Sequence, residues 1–266
     1  MEILLVTIGF VVGILMGLTG IGGAAYVTPI LILLGVPPLV AVGSNVTFLV
    51  VAKSWGAFLH IRKKNIDYLI FKFLVLGNIL SIGIAYLTLT YIATFNNEFF
   101  NKILVFFLGF LLIGIGFQYL LNILRRKKAN KRCDKIQLKK LSSFLMGALI
   151  SFLINFTSIG GGSILMPYLM KVMDNPRIMV GTSLLFGFIT VVLASLLHIG
   201  LGNVNLQVSL LLILGSLPGI YIGTMLTTNI QRNVLLIFIA ISVIIIGIIM
   251  LGQAFSLYFY PTHNNF

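Results

Sequence analysis

Long apolar runs separated by short polar segments account for almost the whole chain. Six runs have the length of a single membrane-spanning helix, which needs about 20 apolar residues. Two further runs, 3–36 and 141–173, are too long for one ordinary crossing. The pattern predicts an all-α polytopic membrane protein. The six single-length runs cover residues 39–61, 66–93, 102–124, 178–200, 206–228 and 234–259.

Each overlong run carries a glycine cluster followed by a proline. The first reads TGIGGAAYVTP over residues 19–29, and the second reads TSIGGGSILMP over residues 157–167. Because glycine and proline both disfavour the interior of a helix, we expect the backbone to leave the helical conformation at each cluster. In a bilayer such backbone is tolerated only where it is buried in protein or lines a watery cavity. Breaks at matching places in two halves are the best sequence indication of a transporter's binding site.

The two halves of the chain are copies of one another. An offset of 138 positions aligns residues 19–90 with 157–228 without a gap and gives 20 identities in 72 pairs. Apolar sequences match by chance at leucine and isoleucine, but not at glycine, proline or histidine, and the identities include His60 with His198. The sequence therefore predicts two homologous four-segment repeats, at 1–124 and 141–260, joined by a basic cytoplasmic linker at 125–140.

The basic residues favour one arrangement of the repeats. If each overlong run crosses once, the chain has eight helices and parallel repeats, which leaves Lys102, Lys171, Arg177 and Arg232 outside. If each overlong run enters and returns as a hairpin folded at its glycines, only Lys102 lies outside. Cytoplasmic loops are enriched in lysine and arginine. The sequence therefore favours inverted repeats with glycine-broken hairpin helices, and leaves open whether each hairpin is re-entrant or makes two full crossings.

Composition supports the membrane class, and the positions of the basic residues determine how the net charge is interpreted. The chain is 59% hydrophobic and 9% charged, with a mean hydropathy of +1.12. Its net charge of +13 does not indicate nucleic-acid binding, because nine of its 18 lysines and arginines lie between Arg125 and Lys140. Basic residues in such a loop set topology and contact anionic membrane lipid. The single cysteine, Cys133, excludes a disulfide within the chain, and the segment after Met1 lacks the basic region of a cleaved signal peptide.

The glycine clusters are candidates for an anion-binding site. A helix that starts just after a cluster presents unpaired N–H groups and the positive end of its dipole, and bare glycine backbone lets a ligand approach closely. Two such helix starts that converge near the middle of the membrane would bind an anion without a buried lysine or arginine. The alternative interpretation is that the glycines only permit tight helix packing. The predicted substrate-binding residues are Thr19, Gly20, Gly22, Gly23, Ser44, Asn45, Thr157, Gly160, Gly161, Gly162, Ser163, Thr182 and Ser183.

Isolated titratable side chains give weaker indications. His60 and His198 are candidates for proton coupling, because histidine titrates near neutral pH, although an interfacial position explains both more simply. Inverted repeats would place the two histidines near opposite faces, so we expect no shared metal site. Lys53 and Lys72 are expected to snorkel to the cytoplasmic interface. We expect neither a metal nor a cofactor.

The residues that carry a resemblance to a known family are the doubled glycine-proline motif, the V-G-[ST]-[NS] segment at 42–45 and 180–183, and the basic linker. Together they resemble the sulfite exporter TauE/SafE family over essentially the whole chain. The resemblance implies a multi-pass transporter of the bacterial cytoplasmic membrane for sulfite, sulfonates, thiosulfate or related sulfur-containing anions. The first cluster departs from the second, because Ala24 and Ala25 stand where the second has Gly162 and Ser163.

The leading functional hypothesis is a secondary transporter that moves a small, sulfur-containing anion by alternating access. The alternative is an anion channel or a membrane subunit of a larger complex. An intramembrane enzyme is disfavoured, because the sequence contains neither H-E-x-x-H nor G-x-S-x-G. No G-x-x-x-x-G-K-[ST] loop is present either, so an ion gradient (H⁺ or Na⁺) or the substrate gradient would supply the energy. The sequence leaves open the substrate, the direction of transport, the coupling ion and a homo-oligomeric state.

Overall fold

In a computed structural model of the chain, the structure describes residues 1–19, 24–95, 97–124, 136–159, 161–162, 164–226 and 232–259. The described residues form ten helices and no strand, and seven of these helices are long and apolar enough to cross a membrane. The predicted all-α polytopic class is therefore confirmed. In chain order the helices are α1 (Glu2–Thr19), α2 (Ala24–Leu33), α3 (Pro38–Arg62), α4 (Tyr68–Phe95), α5 (Asn97–Leu124), α6 (Ile136–Thr157), α7 (Leu165–Val172), α8 (Pro176–Gly200), α9 (Leu206–Leu226) and α10 (Arg232–Phe259).

Each overlong apolar run contains two helices. In the second run α6 ends at Thr157, and the next residue, Ser158, has a left-handed backbone with φ of 59°. The following helix, α7, begins at Leu165 and has Pro167 in its first turn, where a missing backbone N–H costs nothing. In the first run α1 ends and α2 begins on either side of residues 20–23, which lie outside the described residues.

The helices pair in a way that interlocks the two repeats. The closest pairs are α1 with α9, α4 with α6, α3 with α8, and α5 with α10. In the alignment of the repeats, α1 corresponds to α6 and α4 corresponds to α9. The first two pairs are therefore the same contact made twice, and the last two pairs each join equivalent helices. Each repeat thus places its first helix against the other repeat.

Glycines bring the α1–α9 and α4–α6 pairs into backbone contact. A β-carbon at Gly13 would lie 2.5 Å from the Ser216 carbonyl oxygen, and one at Gly77 would overlap the carbonyl oxygen of Phe144. Small residues allow such close approach between helices in a membrane. The α1–α9 contact uses glycine rows with a spacing of four residues, at Gly9, Gly13 and Gly17 on α1 and at Gly215, Gly219 and Gly223 on α9.

The same contacts give the direction of each helix. Along α3 and α8, Gly43 faces His198 and Gly56 faces Leu184, so these equivalent helices run antiparallel. The starts of α1 and α3 lie at the same end of the molecule. Glu2 accepts a hydrogen bond from Gln207, and Gly43 packs on the carbonyl oxygen of Asn203, in the adjoining loop. The chain therefore travels along α1, returns through α2 and sets out again along α3.

Apolar side chains cover the outside of the molecule as well as its interior. Phe48 and Phe186 are fully buried at equivalent positions of α3 and α8, whereas Phe110, Leu214 and Ile248 are each more than half exposed. Exposed apolar surface on this scale is suited to contact with lipid rather than with water. The main cluster of buried apolar side chains includes residues of the α3–α8 pair and of both hairpins, and Gly161 of the second glycine cluster is buried as well.

Candidate functional site

The tip of the second hairpin is held by hydrogen bonds of its own residues. The Thr157 hydroxyl donates to the carbonyl of Leu153 at 2.6 Å and accepts the N–H of Ile159 at 3.2 Å. These bonds close the end of α6 and direct the chain toward Gly161 and Gly162. No described side chain caps the first turn of α7, whose N-cap residue is Ile164. The tip therefore presents glycine backbone followed by an uncapped helix start.

A buried polar cluster, formed by Thr28, Asn45 and Ser158, links the two hairpins. The amide nitrogen of Asn45 donates to the Thr28 hydroxyl at 2.8 Å and to the Ser158 hydroxyl at 2.7 Å. The two hydroxyl oxygens are themselves 2.5 Å apart. Thr28 belongs to α2, Asn45 to α3 and Ser158 to the tip that follows α6. One amide therefore joins the return arm of the first hairpin to the tip of the second.

Lys53 lies at the second glycine cluster and not at the membrane interface. A β-carbon at Gly161 would lie 3.1 Å from its ammonium nitrogen, and one at Gly187 would lie 3.4 Å from the same nitrogen. Gly187 is in the middle of α8, so the interpretation of Lys53 as a snorkelling residue is corrected. Lys72 is exposed on α4, as a snorkelling lysine would be. The alignment of the repeats already sets this lysine apart, because the residue equivalent to Lys53 in the second repeat is the apolar Val191.

Among the predicted residues on α3 and α8, Ser44 and Thr182 bind loop backbone, whereas Ser183 does not. The Ser44 hydroxyl accepts the backbone N–H of Asn205 at 2.9 Å, and Thr182 accepts that of Asp67 at 3.0 Å. These are equivalent bonds in the two repeats, and both hold the loop that precedes a helix. The Ser183 hydroxyl makes no hydrogen bond with any described residue, although the residue is buried.

Five of the predicted binding residues lie outside the described residues. Thr19 is the last residue of α1, and its equivalent Thr157 is the last residue of α6. The structure thus brings together Asn45, Thr157 and the 161–162 segment near one hairpin tip, and assigns Ser44 and Thr182 to loop contacts. The residues outside the described part are Gly20, Gly22, Gly23, Gly160 and Ser163.

The two histidines lie at opposite ends of the antiparallel α3–α8 pair. His198 is fully buried, and its Nε2 donates to the Asn155 carbonyl at 2.9 Å. That bond leaves Nδ1 as an acceptor, and no described atom donates to it. His60 is half-buried and packs its Nδ1 against Gly181. Within the described ranges, no group of three or more histidine, cysteine or acidic residues is suited to hold a metal.

A second polar cluster between α4, α6 and α8 was not predicted. The Ser151 hydroxyl donates to Asn78 at 2.6 Å, and Asn78 donates to the Thr190 hydroxyl at 3.0 Å. Asn155 donates to the carbonyl of Ser151 at 2.9 Å, and its own side-chain oxygen has no partner among the described atoms. The sequence feature that could have indicated this cluster is the presence of two asparagines, Asn78 and Asn155, inside apolar runs. The repeat equivalents of Asn78, Ser151, Asn155 and Thr190 are Ser216, Gly13, Gly17 and Ala52.

Comparison with known proteins agrees with this architecture. A family model described as Sulfite exporter TauE/SafE matches residues 5–250. A "Probable membrane transporter protein YjnA" of Bacillus subtilis is 32% identical over 254 residues, which cover 93% of this chain and 99% of that protein. A "Probable membrane transporter protein YunE" of the same organism is 28% identical over 270 residues, which cover 92% of this chain and 95% of that protein. No solved structure matches the chain.

The fold and these likenesses together define a multi-pass transporter of the cell membrane, which carries a small substrate. The chain belongs to the sulfite exporter TauE/SafE family, whose model spans nearly its whole length. An archaeal relative, "Probable membrane transporter protein MJ0441" of Methanocaldococcus jannaschii, is 32% identical over 174 residues, which cover 62% of this chain and 60% of that protein.

Proposed function

We propose that this protein is a secondary transporter that moves a small, sulfur-containing anion across the cell membrane by alternating access. The observation that carries the proposal is the broken helix of the second repeat, where α6 stops at Thr157 and α7 starts without a side-chain cap. A helix N-terminus with bare glycine backbone before it attracts anions through its N–H groups and its dipole. Discontinuous helices of this kind hold the substrate in many transporter folds.

The family supports the choice of sulfur anions. Its model is described as a sulfite exporter. Sulfite and the sulfonates share a pyramidal SO₃ group, and thiosulfate carries the same three oxygens on a tetrahedral sulfur. Their oxygens accept hydrogen bonds from N–H and O–H donors, which are the groups that the backbone of the tip and the Ser183 hydroxyl of α8 offer. Small size and negative charge are therefore the properties that we expect the site to recognise.

Alternating access is supported by the relation between the two repeats. We propose that the repeats are inserted with opposite orientations, because α3 and α8 are equivalent in sequence and pack antiparallel. Two hairpins that enter from opposite faces give the site two routes of access, one to each side. Rocking of one repeat against the other would open these routes in turn. Proton coupling through His60 or His198 and coupling to Na⁺ belong to the same proposal and are arms of the experiments below. Assembly of several copies stays a prediction.

The proposal is tested by flux into proteoliposomes that contain the purified protein. Radiolabelled sulfite, thiosulfate, methanesulfonate and sulfate are offered separately, in sodium-containing and sodium-free buffers, with and without an inward pH gradient. We expect saturable uptake of at least one sulfur anion, with little uptake into protein-free vesicles. Folded protein that moves none of the four anions under any of these gradients would overturn the proposal.

A further inference from the structure

We infer that Lys53, on α3 of the first repeat, is the fixed positive charge of the anion site, and that the other described members of this site, Gly161, Gly187 and Ser183, all come from the second repeat. The inference deepens the proposed function and rests on it. The predicted site drew on both hairpins equally and contained no lysine. The inferred site lies at the tip of the second hairpin only, and it has an ammonium group that binds the anion directly.

The position of Lys53 is the first argument. Lys53 lies nine residues before the end of the 25-residue helix α3, and Gly187 lies eleven residues after the start of the 25-residue helix α8. At a rise of 1.5 Å per residue, both positions are about 13 Å or more from the nearest helix end. A β-carbon at Gly161 or at Gly187 would lie within 3.4 Å of the ammonium nitrogen, so this group lies beside the middle of α8, deep within the candidate membrane spans of α3 and α8. An ionisable side chain at such depth is expensive, and it usually marks a substrate or ion site.

The absence of a carboxylate partner for Lys53 among the described residues is the second argument. The chain has five acidic residues. Each of them lies in the first turn of a helix, in a loop between helices, or in the linker at 125–140. No described aspartate or glutamate therefore occurs at the depth of Lys53, where a charge without a partner costs free energy. An anion from solution is then the natural partner for the ammonium group. The five residues are Glu2, Asp67, Glu98, Asp134 and Asp174.

The third argument is that the repeats differ at the positions that make room for the lysine. Lys53 corresponds to Val191, and Gly187 corresponds to Leu49. Val191 and Leu49 are both fully buried, so this symmetry-related pair has packed apolar side chains where the Lys53–Gly187 pair has an ammonium group beside bare backbone. Glycine at 187 leaves the lysine room to reach across from α3 to the tip of the second hairpin.

Ser183 and Asn45 show the same difference in their hydrogen bonds. They are equivalent residues, but Asn45 is engaged by Thr28 and Ser158, whereas the Ser183 hydroxyl bonds to no described residue. Ser183 lies one helical turn before Gly187, so the two positions share a face of α8. The hydroxyl is therefore available to an anion held by the ammonium group. One cation, one hydroxyl and an uncapped helix start suit a single small oxyanion rather than a peptide or a nucleotide.

The test compares four proteins in the flux assay and in a thermal-shift assay with added sulfite, thiosulfate or methanesulfonate. They are the wild type, Lys53→Met, Lys53→Arg and the control Lys72→Met, which removes an exposed lysine from α4. We expect Lys53→Met to raise KM or lower flux at least tenfold and to lose the anion-induced rise in Tm. Lys53→Arg keeps the charge and should fall between the wild type and Lys53→Met, and Lys72→Met should match the wild type.

The outcomes separate this inference from the proposed function. Since Lys53→Met removes a charge without a partner from an apolar region, its Tm without anion should equal or exceed that of the wild type, so the variant remains interpretable. Wild-type flux together with unchanged KM and an unchanged anion-induced Tm shift in Lys53→Met would overturn the inference and leave the proposed function standing. Wild-type protein that neither transports nor is stabilised by any of the anions would overturn both.

Discussion

Asn45 shows how one residue can connect two parts of the fold. Its amide donates to Thr28 on the first hairpin and to Ser158 on the second, and all three residues are buried. Hydroxyls alone could pair with each other, but only a group with two donors can hold both at once. Because the tip at Ser158 has a left-handed backbone, the cluster also fixes the point where α6 ends.

The amide of Asn45 should therefore stabilise the fold. Asn45→Leu removes both donated bonds and disconnects the Thr28–Ser158 hydroxyl pair from α3, which we expect to lower the free energy of unfolding by about 1–3 kcal/mol. Thr88→Val is the control, because the Thr88 hydroxyl bonds only to the Ile84 carbonyl of its own helix. Thermal unfolding in detergent compares the two variants. A Tm for Asn45→Leu equal to that of the control would mean that the cluster contributes nothing.

The two histidines should respond differently to the same substitution. His198→Ala removes a buried bond to the Asn155 carbonyl, so we expect a loss of about 1–3 kcal/mol in unfolding free energy. His60→Ala, at a half-buried position without a described hydrogen bond, should cost less. Thermal unfolding measures both variants, and flux with and without a pH gradient is recorded on the same preparations. Equal Tm losses would contradict the structural difference between the two sites.

At the scale of the helix, glycine has two separate roles in this protein. Clusters interrupt the helices at the hairpin tips, whereas spaced glycines within intact helices let neighbouring backbones touch. Gly77 and Gly83 lie on the same helix, α4, and show the contrast. A β-carbon at Gly77 would overlap the Phe144 carbonyl oxygen, whereas a β-carbon at Gly83 would meet nothing within 4 Å.

Alanine at these two positions should change stability in opposite directions. Gly77→Ala must separate α4 from α6, which we expect to cost about 1–3 kcal/mol. Gly83→Ala gains helix propensity without a clash, which should stabilise the protein by about 0.5–1 kcal/mol. The readout is the Tm of each variant relative to wild type. A gain in Tm for Gly77→Ala would contradict the close α4–α6 contact.

Helix boundaries could be predicted from the sequence, but helix pairings could not. The apolar runs and the glycine clusters predicted the broken helix at Thr157, because glycine acts locally. The α1–α9 and α4–α6 pairs depend on which glycine face meets which backbone, and several faces offer the same small residues. Lys53 was misinterpreted for a related reason, since a long side chain on a helix can reach toward either end. Only the packing of α3 against α8 shows that the Lys53 ammonium group lies beside Gly187.

At the scale of the molecule, the repeats form one interlocked body with two chemically different halves. The first helix of each repeat packs against a helix of the other repeat, so we do not expect either repeat to act separately. Yet the polar side chains at Asn78, Ser151 and Asn155 are replaced in the equivalent interface by Ser216, Gly13 and Gly17. Under the proposed alternating access, these different side chains would give the two conformations, one open to each face, unequal free energies.

The proposed opposite orientation of the repeats predicts which loops face the cytoplasm. In a Cys133→Ser background, single cysteines at Lys63 and Arg177 should be protected from a membrane-impermeant maleimide added to intact cells. A cysteine at Gln207 should react, because that position lies beside the N-terminal end of α1. All three positions are exposed, so accessibility reports the side of the membrane. Labelling of Lys63→Cys and Gln207→Cys from the same side would contradict the arrangement.

Counterflow tests the central claim, a carrier for a small sulfur anion, most directly. Proteoliposomes loaded with unlabelled sulfite are diluted into a trace of labelled sulfite, with empty vesicles as the control, and thiosulfate and methanesulfonate are run in parallel. A carrier that exposes one site to each side in turn predicts a transient accumulation of label above its external concentration. Entry of label that never exceeds the external concentration, at the same rate with and without internal anion, would contradict alternating access and indicate a channel.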